Sequence, residues 1–299
     1  MATHYESRAQ RDGTNWTAVL AFIFFHIGAV VALFHFTWPA FFAFLVLYYV
    51  SLSFGIGMGY HRLLTHQGYV PPKWVEYFLA ICGTLALEGG PLSWVTTHRI
   101  HHRYSDLDGD PHSPNDGKWW SHLLWMTVGS ATNCTPEEYR KYSPDLMRDR
   151  FLVTLSKYFW VPVVVVSLVL LALGGLPWLL WGTFFRVTVG WHATWLVNSG
   201  THLWGPRRFE TTDMSRNNRL ISILTFGEGW HNNHHAFPTS ARHGLAWHEL
   251  DISWLGIRTL KALGLAKHVR VASVDAKYRP PVIRSGVIIE DEPDQQEVA

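Results

Sequence analysis

The sequence predicts an all-α integral membrane protein, with four transmembrane helices as a stem and a helical cap on the cytosolic side. Three observations carry that prediction. First, only 16% of the 299 residues are charged while 48% are hydrophobic, and there are 16 Trp, whose rings collect at membrane interfaces. Second, residues 13–61 and 158–185 contain no Asp, Glu, Lys or Arg. Third, of the 25 Lys and Arg, 2 precede the first span, 10 lie between the second and third, and 12 follow the fourth, with none in either short turn. Positive charge marks the cytosolic face, whereas a buried pair of core helices would share the apolar runs without that asymmetry. The composition also excludes a disordered chain, and 2 Cys cannot build a disulfide scaffold. A net charge of +2 leaves no electrostatic footprint for nucleic acid.

Each span needs about 20 apolar residues. The first is predicted over 17–36 and the second over 39–59, with Thr37-Trp38-Pro39 as the turn between them. The third runs over 160–173. After Gly174, Gly175 and Pro177 the fourth runs over 178–202 and contains a lone Arg186. The stretch 74–94 is apolar but holds Glu76, Glu88, Gly83, Gly89, Gly90 and Pro91. It reads as an amphipathic or partly buried helix on the cytosolic face, because a crossing there would separate the histidine clusters described next. The cap then comprises 60–157 and 203–279, in a single domain of residues 1–279. Residues 280–299, with the run Glu290-Asp291-Glu292-Pro293-Asp294, read as a disordered acidic tail. Met1 to Asp12 is polar and no cleavage site follows, so no cleavable signal is expected. Cys82 and Cys134 read as packing residues in a reducing compartment.

The 18 His are not scattered evenly. His61 and His66 follow the second span; His98, His101 and His102 come next; His231, His234 and His235 lie beyond the fourth span. At about 100° per residue, spacing i, i+3, i+4 puts three rings on one helical face. His61 and His66, five apart, reach one centre only if the helix ends or bends there. Eight histidines exceed the needs of one ion and suffice for two, and nitrogen donors suit Fe, Zn, Cu or Ni. His202 is a ninth candidate, and Asn198, four residues before it, shares its face. Asp106, Asp108, Asp110 and Glu228 crowd the clusters. Ligating histidines give their other N–H to such groups, so Glu228 and one of the aspartates, Asp106 or Asp110 foremost, are expected behind the rings. A metal transporter would instead place ionisable groups at mid-membrane, where only His26, His35, Arg186 and His192 stand, without a common pathway.

These residues resemble the integral-membrane fatty acyl desaturases of the stearoyl-CoA Δ9 type, from the first span to about Leu250. The resemblance rests on Gly-Tyr-His61-Arg-Leu-Leu-Thr-His66, His98-Arg-Ile-His101-His102, Asp110-Pro-His112, Ser121-His122, Thr194-Trp195-Leu-Val-Asn198-Ser-Gly-Thr-His202 and Glu228-Gly-Trp-His231-Asn-Asn-His234-His235. It implies two irons bound by His61, His66, His98, His101, His102, His202, His231, His234 and His235, with Asn198 holding a metal-bound water. It implies a kinked acyl tunnel walled by Trp94, Thr194 and Trp195. Where the animal acyl-CoA enzymes carry charged residues for the CoA group, Thr96-Thr97 and Thr127-Val128-Gly129-Ser130 stand here. The stretch from Cys82 to Pro91 is closer to the cyanobacterial and plant enzymes.

The implied reaction is O2-dependent insertion of a cis double bond, at Δ9, into a saturated long-chain acyl-CoA or acyl-lipid. A hydroxylase of the same superfamily is the alternative. No residue beyond the metal centre is expected to do covalent chemistry, since a methylene C–H offers neither an acidic proton nor a leaving group. Electrons would come from a separate ferredoxin- or cytochrome b5-like donor and its reductase. The protein would sit in a bacterial inner membrane or equivalent, among membrane lipids, with its active site and both termini cytosolic. Finally, Tyr49, Ser53, Gly57 and His61 are spaced by four along the second span. That spacing places Tyr49 and Ser53 either on a tunnel floor that would set chain length or in ordinary helix–helix packing, which also favours Ser and Gly.

Overall fold

The computed structural model describes residues 13–128 and 134–273, together with the backbone of 282–284 and 287–289. Three helical runs are long and apolar enough to cross a membrane: Trp16–Leu33, Trp38–Thr65 and Val161–Leu203. The first is α1 (Trp16–Leu33), which starts where the Asn15 side chain accepts from the Ala18 amide at 3.2 Å. The second is α2 (Trp38–Tyr49), capped by Thr37 and opened by Pro39, followed without a break by a π-helical stretch, Val50–Thr65. Here the sequence expectation is corrected: the helix does not end at residue 59. It runs on to Thr65, carrying His61 inside it.

The third run comprises α9 (Val161–Leu179), a π-helical turn Leu180–Phe185 and α10 (Arg186–Leu203). It doubles back. Gly175 has φ 66° and ψ −158°, outside the helical region and accessible to glycine at little cost. Ser167 Oγ and Thr183 Oγ1 then meet at 2.8 Å, although a straight helix would hold them about 24 Å apart. The third run is therefore a hairpin of two apolar helices. Arg186 is buried and, among the described residues, has no carboxylate partner; it donates to the carbonyls of Gly182 and Leu85, each at 2.7 Å. Leu85 ends the next helix, so the cation faces a helix C-terminus, where it is stabilised.

That helix, α3 (Lys73–Thr84), occupies the stretch read as a surface helix. Its 12 residues span about 18 Å, short of the ~30 Å hydrocarbon core. Trp74, Phe78 and Ile81 are exposed, while Val75, Leu79 and Cys82 pack inward. A Cβ at Gly55 would stand 2.4 Å from the Cys82 carbonyl carbon, and one at Gly59 2.9 Å from the Leu79 oxygen. Only glycine lets α3 approach the π-helical stretch this closely.

The cap adds α4 (Pro91–Tyr104), α5 (Lys118–His122), α6 (Pro136–Tyr142), α7 (Pro144–Met147) and α8 (Arg150–Lys157) before the third run. After it come α11 (Arg219–Leu224), α12 (His231–Ala236) and α13 (Ile252–Ala262). Apart from isolated bridges, the only strands among the described residues are Val282–Arg284 and Val287–Ile289, paired antiparallel. The rest of the stretch read as an acidic tail, and Met1 to Asp12, lie outside the described residues.

Candidate metal centre

Four elements deliver the histidines: the end of the π-helical stretch, α4, the end of α10, and α12. The structure sorts nine of them into two groups, in each of which the ligating atoms lie within 4.8 Å of one another. One holds His61, His66, His98, His102 and His234; the other holds His101, His202, His231 and His235. Each tripled motif is shared. In α4 the i, i+4 pair His98 and His102 joins the first group while His101 turns to the second. In α12 the pair His231 and His235 joins the second while His234 turns to the first. The groups are adjacent, with the His102 and His235 rings 4.5 Å apart.

The five-residue spacing of His61 and His66 is met by widening the helix. The His66 amide donates to the His61 carbonyl at 3.2 Å, the i+5 bond of a π turn, and both rings come to one face. Gln67, with φ 51°, then ends the helix, and the Gly68 amide donates back to the Arg62 carbonyl at 2.8 Å.

Carboxylates stand behind the rings. Nδ1 of His101 bonds Asp110 at 2.9 Å, of His202 Asp106 at 2.9 Å, and of His235 Asp213 at 2.7 Å; that of His61 bonds Glu228. A carboxylate accepts, so each of these Nδ1 atoms carries a proton and Nε2 is turned toward the other rings. Asp106 and Asp110 both serve, on different rings, and Asp108 is exposed. Asp106 holds φ 60°, a left-handed conformation that aspartate tolerates better than most residues. Glu228 also takes Arg62 Nε at 3.1 Å and Nη2 at 2.7 Å, and Arg62 Nη1 reaches Asp251 at 3.0 Å.

Burial, then repulsion between neighbouring imidazoles, holds His66, His98, His102, His231 and His234 well below the usual histidine range. Burial opposes ionisation of Glu228, but Arg62, His61 and His243 outweigh it and keep the carboxyl ionised. Five rings held neutral, together with four more oriented by carboxylates, make a donor set suited to metal. Buried Nε2 atoms of His66, His101 and His235 find no protein partner, while Nε2 atoms of His61 and His234 converge at 3.0 Å and those of His202 and His231 at 3.1 Å. Such convergence leaves lone pairs facing lone pairs, which a cation between them relieves. The residues fit two metal ions.

A partly open cavity lies beside both groups, lined by Leu52, Ile56, His61, Trp94, His98, Thr194, Val197, Asn198, Thr225, Glu228 and His231. Trp94, Thr194 and Asn198 are thus brought to the metal groups, and Trp94 stacks on His98 with centroids 5.0 Å apart. Three other tunnel candidates stand elsewhere. Trp195 is buried against Trp191 and edge-on to His122. Ser53 Oγ meets Ser253 Oγ at 3.2 Å, and Tyr49 packs on Phe54 and Phe226. The wider π turn carries Tyr49 and Ser53 off the face of His61 and presents Leu52 and Ile56 to the cavity beside it.

Sequence reasoning missed Asp213, His243 and Glu88. His243 packs 4.4 Å from the His234 ring with Nδ1 3.4 Å from Glu228. Glu88 Oε2 accepts from the Trp94 indole at 3.2 Å, and burial pushes its carboxyl up to about 7. The first two stand outside any helical spacing that would mark them. Glu88 was noticed only as a charge against a membrane crossing.

A sequence model of the fatty acid desaturases matches residues 36–260. The chain belongs to the fatty acid desaturase family. This desaturase is 46% identical to the sn-1 stearoyl-lipid 9-desaturase of Anabaena variabilis, over 86% of its own length and 94% of the relative's. It is 45% identical to the sn-2 palmitoyl-lipid 9-desaturase of Nostoc sp. (strain 36), over 88% and 92%. It is 43% identical to the Delta-9 acyl-lipid desaturase 1 of Arabidopsis thaliana, over 88% and 86%. The enzyme is an oxidoreductase acting on fatty acyl chains.

Proposed function

We propose that this desaturase inserts a cis double bond at carbon 9 of a saturated long-chain acyl group carried on a membrane lipid. Two irons and O2 would serve the reaction. His61, His66, His98, His102 and His234 would hold one iron, and His101, His202, His231 and His235 the other. The observation that carries the reading is the opening of both histidine groups onto one cavity walled by Trp94 and Thr194. When bound, the metal pair supplies oxidation of an unactivated C–H, which acid–base chemistry cannot. The protein's residues position. Leu52, Ile56 and Val197 exclude water from the chain, Trp94 and Thr194 bend it, and Asn198 orients a water beside the metals. Two vicinal hydrogens leave the chain, and O2 is reduced to two waters with two external electrons and two protons.

An acyl-lipid carrier is favoured over acyl-CoA by the names of the relatives above, each an acyl-lipid desaturase. It is also favoured by Thr96 and Thr97, which are buried in the fold, Thr96 Oγ1 bonding Ser143 Oγ at 2.7 Å. Four crossings are supported by the doubled-back third run, whose 43 residues would measure about 64 Å, twice the hydrocarbon core. The turns would face outward and the cap and both termini the cytosol. A separate ferredoxin- or cytochrome b5-like donor with its reductase would deliver the electrons.

The test is gas chromatography–mass spectrometry of lipids from an expressing host, with double-bond location. The expected product is a Δ9 monounsaturated chain. A hydroxylated product would identify the hydroxylase alternative, and a double bond elsewhere would overturn the position assigned. Labelled acyl-CoA and labelled acyl-lipid, supplied in parallel to isolated membranes, separate the carriers.

A further inference from the structure

Three histidines outside the nine form a linear array. His26 of α1 and His192 of α10 meet Nε2 to Nε2 at 3.0 Å, and His192 Nδ1 meets Nε2 of His122 in α5 at 3.1 Å. Both ends are tied. His26 Nδ1 donates to the Phe22 carbonyl at 2.6 Å, and His122 Nδ1 meets Ser199 Oγ at 3.0 Å. Ser199 Oγ in turn donates to the Trp195 carbonyl at 2.8 Å. Every ring nitrogen of the array is engaged, so none is left to converge on a metal as in the two groups. The rings are half-buried, and His26 lies about 15 Å along an apolar helix. Ionisable side chains at such depth are costly and mark function.

The array leads to the metal centre along one stripe. On α10, His192, Trp195, Ser199 and His202 recur at i, i+3, i+7 and i+10, a single face at 100° per residue. The array touches that stripe at His192 and again at Ser199, and the stripe ends on a histidine of the second group. Thr194, Val197 and Asn198 line the acyl cavity from an adjoining face.

The bonds also fix a proton count. With His26 donating to one carbonyl and Ser199 to another, the array carries one proton more than three neutral rings hold. If Ser199 turns its hydroxyl to His122 Nδ1, the array is neutral. Rotation of one hydroxyl therefore accompanies the gain or loss of one proton.

We infer that His26, His192, His122 and Ser199 form a proton-storing relay that discharges through Ser199 toward the metal centre, apart from the acyl path. This rests on the desaturase reading above, in which each double bond consumes two protons with one O2 and two donor electrons and releases two waters. On discharge, the N–H bond at His122 Nδ1 breaks and an O–H bond forms on Ser199. The proton Ser199 already held passes by way of water to the oxygen leaving as water. Shifts of N–H protons between the rings restore His122, which takes a new proton from the aqueous side.

The test uses the full-length protein in membranes with its electron donor. His122→Gln, His192→Gln and Ser199→Ala should keep wild-type iron content and substrate KM while kcat falls at least tenfold. Ser199→Thr should restore most of it. Added imidazole should restore turnover in His122→Gly, which a packing defect would not allow. His35→Gln, on the turn after α1, should be silent. Wild-type kcat in the three variants overturns the relay. So does lost turnover with parallel loss of iron, or with no rescue by imidazole or threonine. A wild-type protein that forms no double bond refutes the desaturase reading itself, and the relay falls with it.

Discussion

Four carboxylates decide which nitrogen of His61, His101, His202 and His235 faces the metals, and their removal should be felt as affinity before it is felt as fold. Loss of such a partner lowers metal affinity roughly 10- to 100-fold. Asp213→Asn should therefore lose iron to a chelator at a correspondingly lower concentration, read as iron per chain after dialysis. His101→Ala or His234→Ala should lose desaturation altogether while remaining in the membrane fraction. In the cavity, Leu52→Trp should shift the product toward shorter acyl chains. Ser53→Tyr, wedged against Ser253, should lower folded yield instead; an unshifted profile in Leu52→Trp would move the floor elsewhere. Glu88 gives a pH signature. Its folded pKa, raised to about 7 from 4.5, means the folded state binds a proton the unfolded state releases. Its stabilisation is thus fully present below about pH 4.5 and lost as pH rises through 7, on the order of 3 kcal/mol across that window. Glu88→Gln should flatten the decline of melting temperature between pH 5 and 7. Eight of the grouped histidines stand out in the sequence because they come in short clusters, and His202 because it ends the fourth apolar run beside Asn198. Asp213 and His243 were not, because loops bring them in and no period marks a loop.

Among the elements, the π-helical stretch reorganises most of what the sequence suggested. Hydrophobicity locates a helix but does not report its pitch, so a spacing-four argument placed Ser53 and Tyr49 where Leu52 and Ile56 stand. The apolar runs follow from composition and reappear as long apolar helices, and the stretch 74–94, read as amphipathic or partly buried, forms α3 with one exposed and one buried face. The glycines of Phe-Gly55-Ile-Gly57-Met-Gly59 each have a separate neighbour: Gly55 and Gly59 meet α3, and Gly57 leaves room for Glu228 and Ser253. Gly55→Leu should therefore destabilise by more than about 4 kcal/mol and release iron, because the clash with the Cys82 backbone displaces the helix that carries His61. A detergent-solubilised melt with iron quantification reads both effects.

For the whole molecule, the proposed arrangement is two apolar hairpins under one cap. Membrane-impermeant maleimide should label Phe34→Cys and Leu173→Cys, beside the turns, only from outside. It should label Arg140→Cys and Trp247→Cys only after the cytosolic face is opened; reversed labelling would invert the topology. The sharing of α4 and α12 between the two histidine groups has a thermodynamic consequence as well. A helix that contributes to both centres is ordered once. The first ion bears the entropy of arranging it and the second finds it arranged. Metal uptake is then cooperative by construction, and apo-protein titrated with ferrous ion should pass from empty to doubly loaded chains with few singly loaded ones between, as native mass spectrometry would count them.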